Sequence, residues 1–108
     1  MKKIIYTLLI TLLFSSCDKD SKRVKYEVRC PSGCDIVYKS GVLVFENGKS
    51  GTWSVNQRVN SGDNFYLSTT KNTAVGNIRA RVYVDGDLVM ADESGAPFAT
   101  LVLEGIIP

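Results

Sequence analysis

The stretch VKYEVRCPSGCDIVY, residues 24–38, decides how the fold is read. Val24, Tyr26, Val28 and Cys30 alternate with Lys25, Glu27 and Arg29. Successive side chains of a strand point to opposite faces, so this alternation predicts a strand with one buried face. Pro31-Ser32-Gly33 then fits a three-residue hairpin loop, with proline at the first corner of a type I turn and glycine in the left-handed position. That register sets Cys30 opposite Cys34, Arg29 opposite Asp35, Val28 opposite Ile36 and Tyr26 opposite Tyr38. One face becomes apolar and the other gains an opposite-charge pair. Lys25 and Lys39 would bring like charges together, so the ladder is expected to end there.

The same pattern extends outward along the chain. Strands are expected at 24–30, 34–39, 42–46, 51–57, 64–70, 77–84, 87–92 and 97–105. Asn47-Gly48 and Asp85-Gly86 read as type I′ hairpin turns, whose two central residues need positive φ. Ser61-Gly62-Asp63 and Ser94-Gly95 mark further reversals. At Asp85-Gly86 the hairpin sets Val84 opposite Asp87, Val82 opposite Val89 and Arg79 opposite Asp92. Ile78, Ala80, Val82 and Val84 form its inner face, and Arg79, Arg81 and Tyr83 point the other way. No helical period and no internal repeat are visible. Strand number and spacing suggest an antiparallel sandwich or barrel, and the expectation adopted is an all-β domain over residues 24–108, an antiparallel β-sandwich of about seven to eight short strands.

Upstream, MKKIIYTLLITLLFSSC reads as a secretory leader. Lys2 and Lys3 give a positive start, residues 4–14 an apolar run, and Ser15 and Ser16 a small-residue cleavage site. As a helix the apolar run rises about 16 Å, against a hydrocarbon core of ~30 Å. Phe14-Ser15-Ser16-Cys17 resembles the lipobox of bacterial lipoproteins. That resemblance implies cleavage of residues 1–16 and acylation of Cys17 by membrane lipid, with residues 17–23 as tether. It places the domain on the periplasmic or cell-surface side of a membrane. Lys19, Lys22, Arg23 and Lys25 lie near the acylated end, where acidic head groups are one neighbour and solvent the other.

Charge and composition exclude several classes. Removing Lys2 and Lys3 leaves 11 basic side chains against 11 acidic ones. The chain carries no basic run with interleaved aromatics, and no nucleic-acid partner is expected. Histidine is absent. Serine–histidine and cysteine–histidine catalysis therefore have no base, and the commonest transition-metal ligand is missing. No cofactor, no metal and no enzymatic activity are expected.

Cys30 and Cys34 are the thiols left once Cys17 is acylated. Directly opposed strand residues have Cα atoms about 4.5–5.5 Å apart, within disulfide range. A structural disulfide is the first reading; a redox pair and a zinc site are the alternatives. Asp85-Gly86-Asp87 offers calcium-like oxygens but lacks the other spaced ligands, so a plain turn is preferred. Ser68-Thr69-Thr70-Lys71 matches Ser-x-x-Lys by letter, yet it closes an alternating strand where the catalytic version opens a helix. Trp53, the sole tryptophan, is read as core packing between sheets or as an exposed stacking residue. Tyr66, Arg81 and Tyr83 join Trp53 as candidate ligand contacts.

Tyr26-Glu27-Val28, Cys34-Asp35-Ile36-Val37-Tyr38, Thr52-Trp53-Ser54, Gly62-Asp63, Gly76-Asn77-Ile78 and Val82-Tyr83-Val84-Asp85-Gly86, with Gly95-Ala96 before the last strand, carry a further likeness. Together they resemble the small mycobacterial membrane proteins that act as transport accessory proteins, the MmpS type, and related bacterial lipoproteins. The resemblance implies an immunoglobulin-like β-sandwich outside a membrane and service to a large export pump. It implies no catalytic residue. The expected role is a lipid-anchored accessory or adaptor protein of an envelope transport complex. The alternative is a surface binding module for a glycan, peptide or host component.

Overall fold

The computed structural model describes residues 21–108. They form six strands, all antiparallel to their partners: β1 (Ser21–Ser40), β2 (Val42–Asn60), β3 (Asn64–Lys71), β4 (Ile78–Val84), β5 (Asp87–Ser94) and β6 (Thr100–Ile106). They make one sheet, nearly closed into a barrel, with order β5-β4-β1-β3-β6 and β2 on the remaining edge of β1. β5 and β6 approach each other without a hydrogen-bonded ladder between them.

Strand is found within all eight expected segments, but the last begins at Thr100 and not at 97, because Pro97 and Phe98 (φ 51°) form a turn, and four of the segments are fused into two. Pro31-Ser32-Gly33 does not reverse the chain: β1 runs through it as a 20-residue strand. Asn47-Gly48 does not reverse it either, and β2 continues past it to Asn60. The reason is visible in the register. Cys30 pairs with Gly51 and Cys34 with Lys49, so three residues of β1 face one of β2. Extra residues of this kind bend a strand and sharpen its twist. A second shift, between Cys34 and Ile36, puts the extra residue on β2 at Asn47-Gly48. Gly33, Gly48 and Gly51 all take positive φ there, which glycine does without steric cost. The actual reversal between β1 and β2 is at Gly41 (φ 75°).

The expected first hairpin is therefore a corner. β1 bends there, so its two halves face each other across the interior. Tyr26 and Tyr38 do meet, with ring centroids 5.8 Å apart, but through the core and not along a ladder. Arg29 and Asp35 do not pair. Arg29 lies between Thr52 and Arg79, while Asp35 accepts the Gly48 N–H at 2.8 Å. Residues 21–23, expected in the tether, begin β1 and pair with β2.

One wall consists of β5, β4, the first half of β1 and the second half of β2. The other holds β6, β3 and the remaining halves. Val24, Tyr26, Val28, Ile36, Leu67, Ile78, Ala80, Val82, Leu101 and Leu103 are buried between them. The inner face predicted for β4 is thus found where expected. At the β4–β5 turn, Asp85 and Gly86 both have positive φ and Val84 pairs with Asp87, as a type I′ turn requires. Beyond the turn a bulge leaves Val89 unpaired. Val82 then faces Met90 instead of Val89, and Arg79 faces Glu93 instead of Asp92.

Two polar groups cross the interior. Lys71 is 1% exposed and donates from Nζ to the Gly76 carbonyl at 2.6 Å. The Tyr26 hydroxyl donates to Lys39 O at 3.4 Å and accepts the Tyr66 N–H at 3.3 Å, stitching the two walls. Burial pushes the Tyr26 phenol above its usual pKa, against smaller opposing effects from the Tyr66 N–H and Gln57. A folded pKa above the unfolded value of about 10 gives stability that is whole below that pH and is lost as pH rises toward the folded value. Tyr26→Phe should cost about 1 kcal/mol at neutral pH. It should also flatten the alkaline decline, read as urea midpoints on either side of about pH 10. A variant that declines as steeply as the parent would refute this role.

Candidate functional site

The two walls present different outer surfaces, because odd-numbered residues of β1 and β4 point away from the core and carry very different side chains on each side of the corner. On the first wall the cross-strand rows can be read from the register. Glu93, Arg79, Arg29 and Thr52 form one row, and Ala91, Arg81, Glu27 and Ser54 the next. Leu88, Tyr83, Lys25 and Asn56 form the third, and Arg23 faces Arg58 beyond it. All five arginines of the chain stand on this face.

Contacts within the face set cations against a ring, a hydroxyl and two carboxylates. Arg81 donates from Nη1 to the Tyr83 hydroxyl at 3.4 Å. That hydrogen bond is the main influence holding Arg81 still further toward its charged form. The Lys25 ammonium lies 5.6 Å from the Tyr83 ring centroid, a cation–π distance. Lys25 also lies 3.6 Å from Glu27. Asp85 accepts the Arg23 N–H at 2.9 Å and sits 3.8 Å from Lys22. Arg23, Lys25, Asn56, Arg58, Tyr83, Asp85 and Gly86 line an open groove of about 660 Å³ at this end of the wall.

On the second wall the rows are less polar. Phe45, Val37, Ser68 and Val102 lie side by side; Leu43 faces Lys39, Tyr66 faces Glu104, and Lys39, Tyr66 and Glu104 line one open groove. Val42, Leu43 and Phe45 are 72%, 53% and 66% exposed. They belong to β2, whose far edge pairs with nothing among the described residues. Large apolar side chains on a free edge make a template for another strand.

The expected contact residues are thus separated. Arg81 and Tyr83 touch each other on the first wall. Tyr66 is on the outside of the second wall, opposite Glu104. Trp53 points inward, half-buried, with its ring 5.3 Å from that of Tyr38. Its packing between the walls agrees with the core reading and removes it from any outer surface. Cys30 and Cys34 are joined as a disulfide, buried at the corner, with Cα atoms 6.0 Å apart. Cys17 lies outside the described residues. Among the described residues no group of three His, Cys, Asp or Glu side chains gathers to hold a metal ion.

Two features escaped the sequence reading. Arg23, Arg29 and Arg58 join Arg79 and Arg81 only because the corner keeps residues 24–29 between β2 and β4. Their outward position in alternating strands was the available signal. The free edge of β2 escaped because its two halves read as the two arms of one hairpin turning at Asn47-Gly48. Comparison of the sequence with models of known families and with curated proteins found no match.

Proposed function

We propose that this chain is a lipid-anchored, non-enzymatic protein of the bacterial cell envelope that acts as an adaptor, docking another envelope protein on the free edge of β2. The observation that carries the reading is the exposure of Val42, Leu43 and Phe45 on an unpaired strand. Strand addition supplies main-chain hydrogen bonds from the edge and side-chain contacts from alternate residues. Leu43 and Phe45 are two such residues, on one face. The partner chemistry this fits is an extended segment with apolar side chains at alternate positions, such as an exposed strand of an export pump or of a protein that serves one.

Membrane attachment through an acylated Cys17 belongs to the same proposal. Its support is the leader pattern of residues 1–17. The second and third acyl chains matter, because one chain alone binds only marginally at ~0.8 kcal/mol per buried methylene. The finer fold reading, an immunoglobulin-like sandwich, is also part of it. Two facing walls over one core support that reading. A glycan-stacking role has less support, since Trp53 packs against Tyr38.

Crosslinking in intact cells tests the reading, combined with mass measurement of the mature chain. The expected product starts at Cys17 with acyl mass added. A crosslinker placed at residue 45 should capture a membrane or envelope protein, and one placed at residue 81 should not capture the same protein. Capture of nothing from residue 45, or of the same partner from both positions, would remove the docking edge. An unmodified residue 17 would remove the anchor.

A further inference from the structure

The arginine face of the first wall does no structural work that its composition would predict. Among the described residues no arginine lies within ion-pair distance of a carboxylate of those same residues, and the three ion pairs found there all use lysines. Arg29 stands directly opposite Arg79, and Arg23 directly opposite Arg58. Like charges in directly opposed positions destabilise a sheet. The Nε of Arg79 is buried and has no hydrogen-bond partner. An unpaired buried donor carries its full desolvation cost. The carboxylates nearby offset only part of this excess: Glu27 stands opposite Arg81 and, with Glu93, favours its charged form, but neither reaches ion-pair distance of an arginine. Glu27 is engaged by Lys25, Asp85 by the Arg23 N–H and Lys22, and Glu93 faces Arg79 without reaching ion-pair distance.

We infer that this face is a binding site for phosphate groups, presented by the headgroups of an anionic phospholipid surface. Arginine's planar donor fork matches phosphate oxygens, and an added anion would offset whichever opposed pair it meets. The two pairs stand six residues of β1 apart, about 20 Å, so each would take its own headgroup. Arg23 and Arg58 with Lys25 line the groove of about 660 Å³, room for a headgroup beside the Tyr83 ring. Position argues for a membrane as the source. The groove sits at the start of β1, and Ser21 is four residues after Cys17. Four residues span at most about 14 Å. A chain held at the membrane by residue 17 would keep this end of the wall within reach of the headgroups. The choice of lipid as source rests on the anchor proposed above; the phosphate chemistry of the face does not.

The test uses the mature polypeptide, residues 17–108, with Cys17→Ser, so that no acyl chain contributes to binding. Vesicles of phosphatidylcholine alone are compared with vesicles that also contain phosphatidylglycerol. The protein should sediment with the second and not the first, and added salt should release it. Basic side chains near an anionic surface contribute about 1 kcal/mol each, so removing the pair that lines the groove, Arg23→Gln with Arg58→Gln, should weaken binding about 30-fold. Lys39→Gln with Lys49→Gln, a charge-matched pair on the other wall, should weaken it far less. Equal loss in both pairs would reduce the effect to net charge and overturn the site. Equal binding to both vesicles would overturn it too. In a second arm inorganic phosphate is titrated while the five arginine Nε–H signals are followed by NMR. Tight binding of free phosphate without vesicle binding would overturn the lipid source. Because residue 17 carries no lipid in these samples, none of these failures can be confused with failure of the anchor.

Discussion

Replacing Cys30 and Cys34 together by alanine will lower the stability of the domain by about 3 kcal/mol. The crosslink closes a very short loop, for which loss of unfolded-chain entropy gives about 2 kcal/mol. The remainder comes from removing two sulfurs from a site where both residues are fully buried. For 88 described residues a total stability of roughly 4–13 kcal/mol is ordinary, so the loss is a large fraction of it. Urea unfolding of parent and variant measures the difference. Reduction of the parent separates the two contributions, since it opens the bond but keeps both sulfurs, and should cost only about 2 kcal/mol. The slope of the transition should also fall in neither case by much, because the surface exposed on unfolding changes little. An unchanged urea midpoint in the variant would mean that the corner is held by its glycines and by the hydrogen bonds around it, with the sulfur bridge idle.

The corner also explains which part of the fold could be read from residues alone. Alternation located every strand segment and assigned the buried face of β1 and β4. It could not say whether Pro31-Ser32-Gly33 reverses the chain or bends it, because the same residue types serve both. That choice is made by the partner strand. Gly33, Gly48 and Gly51 meet in the paired strands, on either side of the reversal at Gly41. Two breaks placed nearly symmetrically about a third form a bent hairpin, in which the outer breaks face each other. Taken singly, each looks like a turn. Local chemistry proposed reversals at the two outer breaks; pairing along the whole length of β1 and β2 leaves only the middle one, at Gly41.

The same distinction governs the candidate sites. Arg81 beside Tyr83 was legible because both lie on one strand, two residues apart, and period-two geometry puts them on one face. Trp53 was ambiguous because it alternates with Thr52 and Ser54, which fixes its face but not which face is inside. Only the register against Val28, a buried residue, settles it. The arginine pairs Arg29–Arg79 and Arg23–Arg58 join residues 50 and 35 positions apart in sequence. No local pattern carries such a pairing, and the expected register had given Arg29 to Asp35.

Substituting Leu43→Glu and Phe45→Lys together should abolish capture of the docking partner while leaving the domain folded. Phe45 is an exposed aromatic at the free edge, the kind of side chain whose removal from an interface costs about 2 kcal/mol or more. That corresponds to a roughly 30-fold loss of affinity before the leucine is counted. Charges on an edge strand also discourage any further strand from pairing there. Folding should be spared for two reasons. Both side chains are more than half exposed, and surface changes of this kind usually stay within about 0.5 kcal/mol. In addition, Leu43 lies opposite Lys39, so glutamate there faces an opposite charge. Crosslinking yield in cells and urea midpoint in solution, measured on the same variant, check the two halves of the expectation. Self-association of the parent, lost in the variant, would identify the occupant of the edge as a second copy of the chain. Undiminished capture of a different protein would show that the edge is not where the partner binds.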